Sequence, residues 1–308
     1  MDIRHLHYFI EVARTGSFTK AAESLHISQP TISKAVKEME DELGYVLFLR
    51  TGKKAEITPE GQLILNQARD IVHSFQNLSS ELPHGPNMLQ GKLRMGVPPM
   101  AGAGYFPEVI GQFHEQYPGI TLELVEYGAK KIEEEIENGA LDIGVVLLPT
   151  KHDLYHTIPF ADERLMLIVH PGHRLASKEE VALKELAEES FILFREDFAL
   201  HDRIPAICMS VGFQPRIVFE TSQWDFIGNL VAAKLGIALL PESICRQIDP
   251  TRVAARPLVA PVIPWRLAFI WRKDRYLSFA AKEWIRFMRS IYPEKAEKTE
   301  QAGKAEKG

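Results

Sequence analysis

Polar and basic side chains cluster at the start of a short helical segment near the amino terminus. Residues 29–37 read QPTISKAVK, with Ile32 and Val36 on one face and amide, hydroxyl and ammonium groups on the others. Glutamine, serine and threonine hydrogen-bond to base edges, and lysine reaches bases or phosphates. These residue types predict a DNA-reading surface made of Ser28, Gln29, Pro30, Thr31, Ser33, Lys34 and Lys37.

Three amphipathic helices are predicted to position that surface. The first covers about 4–15 and ends at Gly16, the second follows Ser17 and runs to Leu25, and the third runs from Ser28 to Gly44. Serine favours the N-cap of a helix and glycine its end. Helix, short turn and helix form the helix-turn-helix unit, whose second helix enters the major groove of DNA.

A two-stranded wing is predicted after the third helix. Val46–Leu49 and Ala55–Thr58 have strand patterns around a turn at 51–54, and three cations lie near its tip: Arg50, Lys53 and Lys54. Such cations neutralise phosphates or enter a minor groove. Residues 1–58 hold eight basic and eight acidic side chains, with the acids 38, 40, 41 and 42 at the far end of the third helix. The alternative is a solvated helical bundle with scattered charges.

A long linker helix is predicted from Thr58-Pro59, because threonine caps a helix and proline suits its first turn. Its apolar residues recur at spacings of four and three: Ile64, Ala68, Ile71, Phe75, Leu78 and Leu82. This heptad pattern predicts a seam between two subunits. The alternative is that the stripe packs on the chain's own core. Pro83, Gly85 and Pro86 predict a hinge that completes a linker over 59–90.

Composition limits the classes of protein to consider. The 308 residues suit two or three domains, and the net charge of −5 requires any DNA-binding patch to be local. Cys208 and Cys245 form no CxxC pair, which predicts a reducing compartment. We see no signal peptide and no spanning apolar run, so we expect a cytoplasmic protein without membrane contact. Residues 294–308 are charged and of low complexity, which predicts a disordered tail.

Strand and helix patterns alternate over residues 91–293, which predicts an α/β effector domain with mostly parallel sheets. The predicted strands are KLRMGVP, ITLELVEY, LDIGVVLLP, RLMLIVHP, SFILFRE, RIVFETS, GIALLPE and WRLAFIWRKD. The predicted helices lie near 105–116, 130–138, 183–189, 201–211, 224–235 and 277–291.

Ligands of open parallel sheets bind outside the carboxyl ends of the strands. The loops at those ends predict an effector site made of Pro99, Met100, Ala101, Gly102, Leu148, Arg195, Phe198, Thr221, Ser222 and Trp224. Arg195 offers a bidentate fork for a carboxylate, so we expect a small carboxylate effector. Alternatively, Arg195 pairs with Glu196 or Asp197, and the apolar residues belong to the core.

The sequence gives no support for catalysis or metal binding. The chain has no GxSxG, HExxH or P-loop sequence. His170 and His173, in HPGH, have a metal-ligand spacing, but with no acidic or cysteine partner apparent they predict a turn at a strand end. We predict that Cys208 is a small buried residue within a helix. The alternative is a redox role for its thiol. We therefore predict no enzyme activity, no cofactor and no metal.

The N-terminal segment AAESLHISQPTISKAVKEMEDELG followed by LFLRTGKKAEITPEG resembles the LysR-type transcriptional regulators. The resemblance implies a winged helix-turn-helix, a linker helix that forms a homodimer, and a two-lobe effector domain like periplasmic binding proteins. It implies lobe I at about 91–160 and 266–293, and lobe II at about 161–265. It also implies double-stranded DNA as partner and a homotetramer that activates or represses, with RNA polymerase as a further possible partner.

Within that family, FREDFALHDRI, ETSQWDFI and VIPWRLAFIWRKDRYLSFAA resemble the branch that controls holin-like murein-hydrolase exporter operons and overflow metabolism. This likeness implies acetate- or pyruvate-like effectors. The competing functions are a solute-binding protein and an enzyme on the same two-lobe fold. The first would need export and would leave the first eighty residues unexplained, and no catalytic constellation supports the second.

Overall fold

The computed structural model describes residues 1–52, 54–80, 91–151 and 153–292. The chain divides into an N-terminal unit, built on Met1–Gly91 with Asn138–Ala140 and Arg275–Phe279, and a C-terminal unit that holds the other residues. Lys53, the predicted hinge at 81–90 and the predicted tail at 294–308 lie outside the described residues.

Three helices open the N-terminal unit: α1 (Ile3–Thr15), α2 (Phe18–Leu25) and α3 (Gln29–Leu43). The side chains of Ser17 and Ser28 accept hydrogen bonds from the backbone N–H of Lys20 and Thr31, which begins α2 and α3. Each helix ends at a residue with left-handed backbone: Gly16 at φ 61°, His26 at φ 55° and Gly44 at φ 75°. The three predicted helices are confirmed.

An aromatic cluster holds these helices against the wing. The Phe48 ring lies 5.3 Å from Phe9 and 5.7 Å from Phe18, measured between ring centroids. Leu6, Val12, Ala21, Ile32, Val36 and Met39 complete the buried core. Because Ala21 and Ala22 are small, α2 approaches its neighbours closely. The core therefore fixes how α3 is presented.

The wing consists of β1 (Phe48–Thr51) and β2 (Lys54–Ile57), paired antiparallel with Thr51 opposite Lys54. Both strands lie closer to the turn than predicted, because the ladder continues to that pair. Gly52, at φ 64°, adopts the left-handed backbone that so tight a connection requires.

Helix α4 (Pro59–Ser80) carries two apolar stripes rather than one. Leu65, Ala68 and Val72 are buried in the N-terminal core, which includes α1. Ile71 and Phe75 are 50% and 53% exposed. The prediction that Ala68 belongs to an intersubunit seam is therefore wrong, because the chain's own core covers that face. Ile71 and Phe75 remain on a separate, solvent-facing stripe.

In the C-terminal unit, lobe I contains β3 (Gly91–Val97), α5 (Pro99–Gln116), β4 (Ile120–Glu126), α6 (Ala129–Glu137) and β5 (Ile143–Leu147). Two long strands, β6 (Tyr155–Val169) and β12 (Pro264–Arg272), connect it to lobe II. Helix α10 (Phe279–Ile291) packs Trp284 against Phe113 of α5, with centroids 4.8 Å apart.

Lobe II contains β7 (Val181–Ala182), a 3-10 helix (Leu183–Leu186), β8 (Ser190–Phe194), α7 (Ala199–Ser210), β9 (Arg216–Thr221) and α8 (Trp224–Ala232). It continues with β10 (Ala238–Pro241), α9 (Glu242–Cys245) and β11 (Ala254–Val259). Among the described residues, one sheet has the order β4-β3-β5-β12-β6-β11-β7 with β10 also paired to β6, and β8 pairs with β9.

The strands of the C-terminal unit pair in both parallel and antiparallel directions. β3 with β5, β7 with β11 and β8 with β9 are parallel. The antiparallel pairs recorded in this unit all involve the connecting strands β6 or β12. The mixed α/β class with its helix-covered parallel strands is confirmed. The predicted lobe crossings near 160 and 265 fall within β6 and β12, and the domain boundaries stay predictions.

Several elements of the C-terminal unit differ from the predicted ones: the helix predicted near 183–189 is the 3-10 helix Leu183–Leu186, and α9 was not predicted. Strand β6 starts at Tyr155, nine residues before the predicted RLMLIVHP, because its ladder with β12 continues past a bulge at Phe160 to the pair Tyr155–Arg272. Helix α5 starts at Pro99 rather than near 105, since proline is well accommodated in the first turn of a helix. Strands β7 and β11 were not predicted. No helix among the described residues is both long and apolar enough to cross a membrane.

Candidate DNA interface and effector site

The N-terminal half of α3 presents the residues predicted to read DNA. Ile32, Ala35, Val36 and Met39 are buried on one face. Ser28, Pro30, Thr31, Lys34 and Lys37 are exposed, and Gln29 and Ser33 are partly exposed. The Ser28 hydroxyl lies 2.7 Å from that of Thr31, which organises the first turn. The surface is continuous and mostly uncharged, with lysines at its edge.

Glu38 lies closer to this surface than expected. Its carboxylate is 3.7 Å from Nζ of Lys34, one turn away on α3, and 3.2 Å from Nε2 of His5 on α1. The expectation that all the acids lie away from the cations is therefore wrong for Glu38. An exposed i,i+4 pair of this kind is weak, so Lys34 can exchange Glu38 for a phosphate.

Thr58 anchors the base of the wing. Its hydroxyl donates to the Val46 carbonyl at 2.8 Å and accepts from the Gly61 N–H at 2.9 Å, which begins α4. A Cβ at Gly61 would lie 2.4 Å from the Leu47 carbonyl oxygen, so the close approach requires glycine. The Ala55 N–H donates to Gly16, joining the wing to the turn after α1. Lys54 is exposed, whereas the side chain of Arg50 lies outside the described part of the chain.

The effector residues predicted after β3 form the first turn of α5. Met100 is 3% exposed and Ala101 is fully buried, so both pack in the core of lobe I. Pro99 and Gly102 are partly exposed. In lobe II, Phe198 is 5% exposed and stacks on Phe194. Burial favours the alternative, packing role for Met100, Ala101 and Phe198.

The predicted polar contacts of lobe II lie at the carboxyl ends of β8 and β9. Arg195 donates to both carboxylate oxygens of Asp197 at 3.3 Å, as its alternative role anticipated. Thr221 accepts from the Gln223 N–H at 3.3 Å, just before α8. Ser222 and Trp224 are partly exposed. These side chains share one end of the lobe II sheet.

Arg203 is a cation of this region that sequence reasoning missed. It projects from α7, and its Nη1 donates to the Leu148 carbonyl of lobe I at 2.9 Å. Burial lowers its pKa, and the charge of Arg266 lowers it further. It forms no ion pair with a carboxylate of any described residue. The sequence showed only an arginine beside the apolar face of α7, without the fold that brings it to Leu148.

The two lobes meet beside Arg203. A Cβ at Gly128, after β4, would lie 2.1 Å from the Asp197 carbonyl oxygen, so only glycine permits this approach. Lys130 Nζ of α6 contacts the Glu196 carbonyl at 2.8 Å and the Asp202 carboxylate at 2.5 Å. Segments that follow the carboxyl ends of strands in both lobes therefore face each other, at the edge where ligands of open α/β sheets bind.

Burial keeps both cysteine thiols in the protonated, less reactive form. Cys208 is fully buried in α7, and burial raises the pKa of its thiol to about 11. Burial, with the carboxylates of Glu163 and Glu242, raises the pKa of Cys245 to about 12. The prediction of a buried helix residue at 208 is confirmed. A protonated thiol is a poor nucleophile at neutral pH.

Comparison with known proteins identifies both units. The family described as bacterial regulatory helix-turn-helix protein, lysR family, matches residues 3–62, and the LysR substrate binding domain matches residues 86–292. The HTH-type transcriptional regulator YwbI of Bacillus subtilis strain 168 is 55% identical over 290 residues, covering 94% of this chain and 96% of its own. The Escherichia coli K12 DNA-binding transcriptional dual regulator OxyR is 30% identical over 241 residues, covering 78% and 79%.

Solved structures share the fold. A full-length OxyR variant from Pseudomonas aeruginosa matches with a TM-score of 0.71 at 28% identity, covering 94% of each chain. CbnR, solved in complex with its target DNA, matches with a TM-score of 0.65 at 23% identity, covering 94% and 99%. The second likeness concerns the fold alone.

The chain belongs to the LysR family of bacterial DNA-binding transcriptional regulators. Its second unit is the effector-binding domain of that family. The predicted family and the predicted regulator function are confirmed, and the two alternatives, a solute-binding protein and an enzyme, are set aside.

Proposed function

We propose that this regulator binds its operator through α3 and the wing, and that a small carboxylate held between the lobes modulates the binding. The proposed DNA contacts are Ser28, Gln29, Pro30, Thr31, Ser33, Lys34, Lys37, Arg50, Lys53 and Lys54. Exposure of the described members supports this set. Because the protein as a whole is acidic, this local surface must supply the attraction to phosphates.

We propose that the protein acts as a homodimer through α4, and that dimers associate into a homotetramer. The exposed apolar stripe with Ile71 and Phe75 supports the dimer, because such a stripe on a helix is stabilised by burial against a second copy. Two reading heads match two operator half-sites. The proposal includes a cytoplasmic location and leaves RNA polymerase as a further partner.

One observation carries the effector proposal: Arg203 is a half-buried guanidinium whose hydrogen-bond partner is a neutral carbonyl. Burying a charge without an opposite charge is costly, so an anion beside Arg203 would be stabilised. We propose Arg203 as the principal carboxylate anchor and Arg195, already engaged with Asp197, as a secondary one. Pro99, Gly102, Leu148, Thr221, Ser222 and Trp224 complete the proposed lining.

The proposed effector class is a small monocarboxylate of the acetate or pyruvate type. The likeness to the branch that controls holin-like exporter operons supports this class. Several relatives are named hydrogen peroxide-inducible genes activator. The buried, protonated thiols of this chain do not favour peroxide sensing, since thiolate is the reactive form.

The test combines a mobility-shift assay on the DNA upstream of the gene with calorimetric titration of acetate and pyruvate. We expect a salt-sensitive shift that carboxylate modulates. Arg203→Gln should weaken carboxylate binding by about 10- to 100-fold, since a hydrogen bond to a charged group is worth about 1.5–3 kcal/mol. Arg195→Gln serves as the matched control and should change the affinity far less.

The outcomes separate the parts of the proposal. Loss of affinity with Arg195→Gln alone would move the anchor to Arg195. Failure of the wild-type protein to bind either acid would exclude an effector of the acetate or pyruvate type and leave the operator proposal intact. Absence of any shift on that DNA or its neighbours would overturn the operator proposal.

A further inference from the structure

A second basic pocket lies in lobe II, at the opposite strand ends from Arg195 and Thr221. It is a cavity of about 240 Å³ at the amino ends of β8 and β9, where Ser190 and Arg216 begin their strands. His170, which follows β6, and the turn before β10 with Lys234 and Gly236 complete it. The pocket is therefore separate from the interlobe region around Arg203.

Its two full positive charges lack acidic partners. Arg216 Nη2 donates to the Ser190 hydroxyl at 2.7 Å. Both Arg216 and Lys234 are exposed, and neither pairs with a carboxylate among the described residues. Arginine provides a planar fork of donors and lysine a compact charge, a pairing suited to a phosphate group.

His170 contributes a further donor. The Gly172 N–H donates to Nδ1 of His170 at 2.9 Å, so Nδ1 is an acceptor. In the neutral ring the proton is then on Nε2, which is left to donate. Because the imidazole is held by its own turn, its orientation does not depend on a ligand.

The single acid of the pocket is already neutralised. Arg174 donates from Nη2 to Oε1 of Glu189 at 2.7 Å, and Nε2 of His173 lies 3.2 Å from Oε2. This contact also corrects the prediction that HPGH has no acidic partner. With Glu189 engaged by these residues, the surplus charge of Arg216 and Lys234 remains available.

The turn before β10 packs closely against β8, and the Ile237 N–H donates to the Ser190 carbonyl at 2.8 Å. A Cβ at Gly236 would lie 2.7 Å from the Ser190 carbonyl oxygen, so glycine keeps the turn against β8. Lys234 has φ 64° because it closes the end of α8: its N–H donates to the Val231 carbonyl at 3.0 Å, and the Leu235 N–H donates to the Leu230 carbonyl at 3.1 Å.

We propose that this pocket binds a dianionic phosphate group, either inorganic phosphate or a small phosphomonoester. Two cations without carboxylate partners among the described residues and the Nε2 donor of His170 match the charge and the several acceptor oxygens of phosphate better than those of a monocarboxylate. The site does not depend on the carboxylate effector proposed for the interlobe region.

The test is isothermal titration of the full-length protein with inorganic phosphate and with glycerol 3-phosphate at constant ionic strength, with broadening of the ³¹P resonance as a second readout. Acetate and chloride are the control anions. We expect saturable binding that Arg216→Gln and Lys234→Gln each weaken about tenfold. The charge control is Lys92→Gln in lobe I, an exposed cation paired with Glu123. It should leave the affinity unchanged.

Tighter binding of glycerol 3-phosphate would identify a phosphomonoester as the ligand, and equal or weaker binding would identify free phosphate. Absence of saturable binding to both would overturn the proposal. Equal weakening by Lys92→Gln would overturn it too, because the effect would then be one of net charge. Unaltered thermal unfolding of the variants separates lost binding from lost folding.

Discussion

Gln29 occupies the first position of α3, where its amide can reach a base edge if the helix enters a major groove. We predict that Gln29→Ala costs about 1–3 kcal/mol at one base pair of the operator and relaxes the preference there. Binding to panels of single-base operator variants measures this effect. Unchanged preference at every base pair would remove Gln29 from base reading.

Lys37→Ala is the matched comparison at the residue scale. Lys37 is exposed about two turns further along α3 than Gln29 and is expected to contact phosphate rather than a base. It should weaken binding about equally for all sequences and lower the salt slope by about one. The two variants thus separate recognition of bases from attraction to the backbone.

At the scale of elements, the two apolar stripes of α4 differ in what covers them. Its buried stripe packs in the N-terminal core, while Ile71 and Phe75 face solvent. We predict that Phe75→Asp or Ile71→Asp dissociates the dimer, because a carboxylate would have to be buried at the seam. Light scattering coupled to size exclusion measures the mass.

Gln62→Asp is the control for that prediction. Gln62 is exposed on α4, on the flank away from Ile71 and Phe75, so the same new charge should leave the assembly intact. A wild-type protein that runs as a monomer, or seam variants that keep the wild-type mass, would contradict the role of α4.

At the scale of the whole molecule, burial decides how the chain responds to oxidants. The thiol pKa values are raised to about 11 for Cys208 and about 12 for Cys245. A raised pKa keeps the thiol protonated below that pH, so we predict no change of operator binding with micromolar peroxide at pH 7–8. Mass spectrometry of the treated protein and a mobility shift measure the response.

Cys208→Ser and Cys245→Ser provide the control for that experiment. If peroxide altered operator binding in the wild-type protein and not in one of these variants, that cysteine would be reactive despite its burial. Oxidation only at high pH, where the thiolate forms, would agree with the raised pKa values.

Local signals predicted most elements because their causes are local. Serine N-caps, glycines at helix ends and apolar periodicity identified α1, α2 and α3 without reference to the rest of the chain. Strand β6 was predicted only in part, since its first half is stabilised by pairing with β12, more than a hundred residues later. Strand β7, with two residues, has too short a pattern to be recognised.

The amino-acid sequence by itself determined the family, the exposed polar face of α3 and the α/β class, because these rest on short-range patterns and residue types. Only the tertiary structure decided which face of α4 is left uncovered by the chain's own core. It also decided that Arg195 pairs with a carboxylate whereas Arg203 bonds to a neutral carbonyl. The same holds for the pocket that joins His170, Arg216 and Lys234. The physical reason is that burial and charge pairing depend on residues distant in the chain, whose proximity only the packed fold establishes.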